Sequence, residues 1–344
     1  MKSKIYYLFL LIFLNLVACK AKNTANSEKT PKINTTDANK YPYTFKAETN
    51  PIIKHLRTAD PDCHVWADGK MWMYTSQDHD PIAGGGPGYA KMDGYHAFSS
   101  EDLITWTDHG EIFHSRNADW GIEEGGWLWA PGVAFKNDTY YLYYPHKDKK
   151  QKWRIGVATS KKPEGPFKDS GNFIEGTHGI DPMCFIDDNG EAYLYFDHSV
   201  AKLKPNMMEL AEEEHIINYG ANDKKGTNED MVEAPWVYKR NGIYYFSYSN
   251  YKNKEYQGFY GMGKSPYGPF EWKGAVNRNP PGAQDHHSIV EFKNQWYYFY
   301  HTGNYTNNKG EKGRGNRRTV CVDYLYHNKD GTMKLVEQTK NGIN

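Results

Sequence analysis

Residues 232–248 read VEAPWVYKRNGIYYFSY, and this stretch carries the pattern that decides the fold. An apolar run extends up to Arg240, and a run rich in aromatic residues begins at Ile243. The Asn241-Gly242 pair between them is favoured in two-residue hairpin turns, because both turn positions need a positive φ. The pattern therefore predicts a β-hairpin whose second strand is rich in tyrosine.

The same pattern occurs four more times along the chain. The copies are DPDCHVWADGKMWMY (60–74), WAPGVAFKNDTYYLY (129–143), DPMCFIDDNGEAYLY (181–195) and HHSIVEFKNQWYYFY (286–300). Aligned on Pro61, Pro131, Pro182, Pro235 and His287, the five copies are spaced by 70, 51, 53 and 52 residues. Repeats of this length with several short strands are typical of propeller blades. The repeats predict an all-β, five-bladed β-propeller that occupies residues 41–344 as one domain.

The first forty residues have a different character. Lys2 and Lys4 precede an apolar run, Ile5–Val17, that is short for a membrane span. Small residues then lead into Cys19, so residues 1–19 resemble a bacterial lipoprotein signal that is cleaved before Cys19 and leaves a lipid on its sulfur. An ordinary secretory signal with a chance cysteine is the alternative. Residues 20–40 have almost no apolar side chains and predict a flexible tether, which places the protein at the cell envelope, lipid-anchored on the periplasmic face or the cell surface.

The composition restricts the partners of the protein. The chain has 42 Lys and Arg residues against 42 Asp and Glu residues, so no basic surface for nucleic acid is implied. Cys63, Cys184 and Cys321 remain after the signal, and an odd number without framework spacing predicts core residues rather than disulfides. The aromatic content of 15% suits strands and is equally compatible with stacking on sugars. The expected assembly is a monomer.

The chemistry is expected where the inner strands of the blades converge on one mouth of the axis. One repeat position holds Asp60, Ala130, Asp181, Ala234 and His286, and the preceding position holds Ala59, Trp129, Ile180, Glu233 and Asp285. Asp-Pro alone often just starts a strand. Two copies in phase, joined by the glutamate of Glu-Ala-Pro, instead favour paired carboxylates of the kind that hydrolyse glycosides.

At this point the chain resembles glycoside hydrolase family 43. The resemblance rests on the ordered series Ala59-Asp60-Pro61, Trp129-Ala130-Pro131, Ile180-Asp181-Pro182, Glu233-Ala234-Pro235 and His286-His287-Ser288-Ile289, and it covers nearly the whole mature chain. It implies a five-bladed propeller that cleaves arabinofuranosides, xylosides or occasionally galactosides with inversion of configuration.

The resemblance also implies a role for each carboxylate. It makes Asp60 the general base, Glu233 the general acid, and Asp181 the residue that orients the acid and raises its pKa. A carboxylate close to Glu233 disfavours its ionisation and keeps a proton available near neutral pH. Inversion further requires room for a water between base and sugar.

Three more residues are assigned to the site. The resemblance implies that His286 helps to hold a calcium ion in the channel, largely through waters. A hydrogen-bonded core histidine is the alternative, and His287 takes the role if the register is off by one. Arg318, preferred over Arg317, matches a substrate-binding arginine from the last blade. Trp129 is a candidate sugar platform, with a core tryptophan as the alternative.

Two departures from the family pattern and one insertion bear on specificity. Gly132 stands where many relatives have aspartate, and Asp285 stands where glycine often precedes the axial histidine. The long first repeat reflects a glycine-rich insertion, Asp78 to Tyr95, which we expect at the mouth of the propeller beside the substrate cleft.

The sequence thus predicts an inverting glycosidase that releases α-L-arabinofuranosyl or β-D-xylosyl residues from plant-type polysaccharide fragments. A galactosidase or galactofuranosidase of the same fold stays open, because specificity resides in loops. A glycan-binding propeller without catalysis is the second alternative, and the complete set of three carboxylates disfavours it.

Overall fold

The computed structural model describes residues 40–79, 88–219, 231–252, 255–278, 285–306, 310, 312–315 and 317–343. These residues belong to one compact unit, Pro31–Asn344. The signal with its lipidation site Cys19, and all of the tether except Lys40, lie outside the described residues, so both stay predictions. No helix within the described ranges has the length and hydropathy needed to cross a membrane.

The described residues form five antiparallel sheets, which are the five blades of a β-propeller. In chain order the strands are β1 (Tyr43–Lys46), β2 (Thr58–Val65), β3 (Met71–Gln77), β4 (Gly94–Ser100), β5 (Thr105–His114), β6 (Gly132–Lys136), β7 (Thr139–Lys147), β8 (Trp153–Ser160), β9 (Lys168–Phe173), β10 (Met183–Ile186), β11 (Ala192–Phe196), β12 (Ser199–Lys202), β13 (His215–Ile216), β14 (Glu233–Arg240), β15 (Ile243–Lys252), β16 (Glu255–Gly263), β17 (Glu271–Ala275), β18 (Ser288–Phe292), β19 (Gln295–Thr302) and β20 (Thr319–Leu325). Two short 3-10 helices lie in and after the first blade: Gly88–Lys91 between β3 and β4, and Ser115–Asn117 after β5. The predicted fold is confirmed.

Each repeated segment forms the inner hairpin of one blade. The pairs are β2 with β3, β6 with β7, β10 with β11, β14 with β15, and β18 with β19. In the fourth blade Arg240 pairs with Ile243, and the turn residues Asn241 and Gly242 have φ values of 50° and 75°. This is the left-handed turn that the Asn-Gly pair predicts.

The core lies between the blades and is largely aromatic. Second strands such as β3 and β7 are buried along most of their length, because neighbouring blades cover both faces. The tyrosines Tyr74, Tyr143, Tyr195 and Tyr298 are fully buried in these strands. Cys63, Cys184 and Cys321 are free and buried, as the sequence predicts.

The ring closes between the last blade and the first. Strand β2 contacts β18, β19 and β20. In the described part of the chain the last blade has three strands. Residues just before β2 lie along the outer edge of β20: the Ile52 amide donates to the Val320 carbonyl at 2.9 Å, and the Thr319 hydroxyl donates to the Ile53 carbonyl at 2.5 Å. An early segment of the chain therefore covers the edge that a fourth strand would cover.

Candidate active site

One pocket of about 150 Å³ lies where the inner strands begin. It contains all six residues that the sequence assigns to catalysis or binding. Its lining consists of Asp60, Tyr89, Met92, Trp129, Ala130, Ile180, Asp181, Glu233, His286 and Arg318. A second cavity, of about 430 Å³, lies further along the inner strands and is lined mainly by apolar and aromatic side chains.

The backbone at the pocket is in an unusual conformation that recurs in three blades. Asp60, Asp181 and Ala234 have φ values of 53°, 57° and 62°, a left-handed conformation that residues other than glycine rarely adopt. The ladder is irregular between Ala59 and Asp62 and again between Glu233 and Trp236. Neighbouring residues on a regular strand face opposite sides. The left-handed residue breaks this alternation, so that Asp60 of one blade and Glu233 of another, one repeat position apart, line the same pocket.

Asp60 is held as a carboxylate by its neighbours. Its oxygens accept hydrogen bonds from the Ser76 hydroxyl at 2.5 Å and from the Arg318 guanidinium at 2.9 Å. Its backbone amide donates to Nδ1 of His301 at 3.0 Å. Burial opposes ionisation of Asp60, but Arg318 and the nearby histidines outweigh it and lower its pKa to about 2. Asp60 is therefore ionised at any pH where the enzyme is expected to work.

Arg318 is itself fixed by a second carboxylate that the sequence did not reveal. Its Nε and Nη2 atoms donate to Asp78 at 3.0 and 2.9 Å, and its backbone amide donates to the same side chain at 2.7 Å. Arg318, which is 4% exposed, thus bridges Asp60 and Asp78. The Asp78 side chain sets the position of the guanidinium, and no repeat pattern marks that residue.

Asp181 and Glu233 are neighbouring carboxyls whose pKa values are raised, whereas that of Asp60 is lowered. Burial, together with the charge of Asp60, raises the pKa of Glu233 to about 7. Burial and the charge of Glu233 raise the pKa of Asp181 well above its usual range. Oδ2 of Asp181 accepts a hydrogen bond from the Ala234 amide at 2.9 Å, which ties it to the strand that carries Glu233. The pair therefore retains a proton near neutral pH.

His286, rather than His287, faces the pocket. Its Nδ1 atom lies 3.8 Å from carboxylate oxygens of both Asp60 and Asp181. Burial lowers the pKa of His286 to about 4, so the ring is neutral at neutral pH. His287 is buried behind it and contacts the Ser247 hydroxyl at 2.8 Å, and Asp285 accepts a hydrogen bond from the Tyr298 hydroxyl at 2.8 Å.

The residues around His286 do not form a direct calcium site. Calcium takes six to eight oxygen ligands, whereas the described part of the chain holds no group of three or more His, Cys, Asp or Glu side chains suited to a metal ion. The nearest carboxylates, Asp60 and Asp181, already accept hydrogen bonds from Arg318 and the Ala234 amide. A calcium ion fits here only if waters supply most of its ligands.

Trp129 lies in the wall of the pocket beside the insertion of the first repeat. Its indole Nε1 donates to the Tyr89 carbonyl at 3.0 Å, and the two rings meet edge to face. Tyr89 and Met92, in the described part of the insertion, line the pocket, which agrees with the expected place of this insertion. The Tyr89 hydroxyl donates to the Gly315 carbonyl at 2.5 Å and so connects the first blade to the last.

Close packing at this wall explains why position 132 is a glycine. A Cβ atom at Gly132 would lie 2.2 Å from the carbonyl oxygen of Pro182 in the next blade. The inner strands of the second and third blades approach too closely here for any side chain.

Comparisons with known proteins identify the family of the chain. Residues 48–333 match Glycosyl hydrolases family 43. Xylosidase/arabinosidase 43A of Humicola insolens is 35% identical over 329 residues, with 82% of this chain and 97% of that protein covered. A xylosidase/arabinosidase of Bacteroides ovatus is 33% identical over 332 residues, with 85% and 99% covered.

A solved structure gives the same result. The family 43 β-xylosidase/α-arabinofuranosidase from a compost microbial metagenome, crystallised with xylotriose in a calcium-free form, superposes with a TM-score of 0.74 at 32% identity. The superposition covers 88% of this chain and all of that one. The chain belongs to glycoside hydrolase family 43 and is a glycoside hydrolase.

Proposed function

We propose that the protein is an inverting exo-glycosidase that releases β-D-xylosyl or α-L-arabinofuranosyl ends from plant-type polysaccharide fragments. The observation that carries the proposal is the opposite behaviour of two carboxyls in one pocket. The pKa of Asp60 is lowered to about 2 and that of Glu233 is raised to about 7. Titratable groups whose environments push their pKa values apart are suited to act as a base and an acid at the same pH.

In the proposed mechanism Glu233 donates its proton to the glycosidic oxygen as the bond to the anomeric carbon breaks. Asp60 accepts a proton from a water molecule, whose oxygen attacks the anomeric carbon from the opposite face. The product sugar is released with inverted configuration, Asp60 leaves protonated, and Glu233 leaves ionised. Proton exchange with solvent resets both groups. Asp181 positions the acid indirectly. It accepts a hydrogen bond from the backbone amide of Ala234, the residue next to Glu233.

The substrate class is supported by the relatives and by the size of the pocket. The most similar proteins above are named for xylosidase and arabinosidase activities, and the solved relative contains xylotriose. A cavity of about 150 Å³ is small beside the roughly 300 Å³ at which pockets for drug-sized ligands begin. It is suited to one terminal sugar, which favours exo action.

The test is hydrolysis of a panel of p-nitrophenyl glycosides: β-D-xyloside, α-L-arabinofuranoside, β-D-galactoside and β-D-galactofuranoside. We expect turnover of a xyloside or arabinofuranoside with inversion of configuration. NMR identifies the first-formed anomer of the released sugar and so checks the inversion. On xylotriose, whose leaving sugar needs a proton, Glu233→Gln and Asp60→Asn should each lower kcat by about 10² or more, since general acid–base catalysis contributes that much. Asp181→Asn should lower kcat as well, because the acid loses the residue that positions it. Melting temperatures near that of the wild type would show that the variants fold.

The alternatives give different results in the same experiment. Turnover of only a galactoside or galactofuranoside would move the assignment to that sugar, while leaving the three carboxylates in their roles. Full activity in any of the three variants would contradict its assigned role. Binding of oligosaccharides without turnover, on the panel and on natural fragments, would favour the glycan-binding alternative.

Calcium at His286, held mainly through waters, stays a prediction. We expect added calcium to raise the melting temperature of the wild type but not that of His286→Ala. Equal melting curves with calcium and with chelator would contradict it.

A further inference from the structure

An aromatic cluster adjoins the pocket wall at Trp129. The Trp129 ring lies 4.5 Å from the ring of Trp153 and 5.8 Å from that of Trp127. Trp127 and Trp153 meet edge to face at 5.9 Å. All three tryptophans are half-buried, so each presents part of its ring to solvent. A core cluster would be covered on all sides; this one is a wall with an open side.

The backbone of Trp127 is strained. Its φ of 56° is in the left-handed region, which for a residue this bulky is an outlier. It follows Gly125 and Gly126, whose φ values are 68° and 73°. A Cβ atom at Gly126 would lie 2.0 Å from the Ala90 carbonyl oxygen, so this loop is pressed against the segment that carries Tyr89 and Met92. Glycine would occupy position 127 without strain, and retained strain of this kind is typical of ligand-binding positions.

A lysine completes the cluster. The Lys147 ammonium lies 3.4 Å from the centre of the Trp127 ring and 5.4 Å from that of Trp153. Lys147 is half-buried, and within the described ranges its ammonium contacts the tryptophan rings rather than a carboxylate. Its ammonium therefore has donors available to a ligand that reaches the tryptophans.

We propose that Trp127, Trp153 and Lys147 form a leaving-group subsite, which binds the sugar on the far side of the scissile bond. This inference rests on the proposed function: if the pocket holds one terminal sugar, the next sugar must lie outside it. A tryptophan face that the lysine does not cover can bind the apolar face of a sugar ring, and the ammonium beside it can donate to sugar hydroxyls. The ligand class is a neutral oligosaccharide of pentoses, with xylotriose as the probe.

The subsite makes hydrolysis depend on chain length. Stacking and the ammonium act on the leaving sugar of xylotriose, but not on the methyl group of methyl β-D-xyloside, which is too small to reach the tryptophans. The two substrates share the terminal sugar and the chemistry. The ratio of their kcat/KM values therefore isolates the contribution of the cluster.

The variants are Trp127→Gly, which accepts the left-handed backbone, and Lys147→Met, which keeps the length of the side chain without its charge. We expect Trp127→Gly to lower the ratio of kcat/KM for xylotriose over methyl β-D-xyloside about tenfold, the loss of one aromatic contact. Lys147→Met should lower it by a smaller factor. The matched control is Trp66→Ala, because Trp66 is also half-buried but lines the second cavity; its ratio should equal that of the wild type.

A ratio in Trp127→Gly equal to that of the wild type would overturn the proposal and leave the cluster a structural support of the loop. Titration of xylotriose into the Glu233→Gln variant, with and without Trp127→Gly, tests the subsite without turnover. Weaker binding of xylotriose with unchanged binding of xylose supports it, and equal weakening of both contradicts it. If the wild type hydrolyses no glycoside, the proposed function fails, while this binding experiment still decides the subsite.

Discussion

At the scale of single residues, the site shows how similar side chains acquire opposite properties from their surroundings. Asp60 is buried and Glu233 is half-buried, and removal from water raises the pKa of any carboxyl. Asp60 differs because Arg318 lies 2.9 Å from its Oδ1 atom and Ser76 donates to its Oδ2 atom. Glu233 has the Asp60 charge near it instead. The difference is therefore electrostatic and comes from neighbours rather than from residue type.

The pH dependence of activity follows from these two groups. Asp60, with a pKa of about 2, stays ionised through the working range, whereas Glu233, with a pKa of about 7, loses its proton as the pH rises. We expect kcat/KM to be level from about pH 4 to 6 and to fall tenfold per pH unit above about 7. The measurement is kcat/KM from pH 4 to 9 on xylotriose, because a sugar leaving group needs the proton of the acid whereas p-nitrophenol does not.

Circular dichroism over the same range is the control for unfolding. A fall in kcat/KM on the acid side between pH 5 and 6, with the fold intact, would show that Asp60 does not ionise as proposed. A plateau reaching pH 9 would remove Glu233 from the role of general acid.

At the scale of strands, the inner strands of the five blades begin at equivalent positions. In three blades the backbone at that position is left-handed. The left-handed residues at Asp60, Asp181 and Ala234 cost on the order of 1–3 kcal/mol each. Rigid hairpins behind them supply that stability: in the fourth blade β14 pairs with β15 from Trp236 to Arg240 without interruption. The backbone strain is concentrated at the pocket, and the regular strand pairing behind the pocket offsets its cost.

The side chain of Asn50 adds to the contacts that close the ring. The Asn50 side chain donates to the Val322 carbonyl and accepts from the Val322 amide, both at 2.9 Å, as a strand neighbour would. We expect Asn50→Ala to lower the free energy of unfolding by about 2 kcal/mol, because it leaves polar groups at the edge of β20 without partners. Urea unfolding followed by tryptophan fluorescence measures the loss.

The control for closure is Asn172→Ala on the outer strand of the second blade. Asn172 is exposed, and within the described part of the chain its side chain bonds only to the adjacent Phe173 amide. This change should stay within about 0.5 kcal/mol of the wild type. Equal unfolding free energies for Asn50→Ala and the wild type would show that the segment before β2 does not hold the ring closed.

At the scale of the whole molecule, the propeller is preceded by a segment of different composition that we expect to attach it to the membrane. Acyl chains on Cys19 would supply about 0.8 kcal/mol for each buried CH₂ group, and the residues after Cys19 would let the propeller stand away from the lipid. An anchored exo-acting enzyme would release its sugars close to the cell. The expected monomer is consistent with a single anchor per propeller.

Mass spectrometry of the mature N-terminus tests the anchor. We expect the mature chain to begin at Cys19 with acyl groups on it, and to fractionate with membranes. Cys19→Ser should carry no acyl mass. A mature chain that begins after Cys19 without acyl groups would contradict the anchor and favour an ordinary secretory signal.

Local patterns in the sequence determined the repeated hairpins, the number of blades and the positions of three carboxylates, because turn preference and strand alternation act between near neighbours in the chain. The tertiary structure alone decided the surroundings of those carboxylates. Arg318 and His301 reach Asp60 across 258 and 241 residues, Asp78 reaches Arg318 across 240, and Trp127 gains its role from a left-handed backbone that no motif marks. These contacts exist only once the ring closes. Their effect on charge and shape depends on distances in space, which spacing along the chain does not encode.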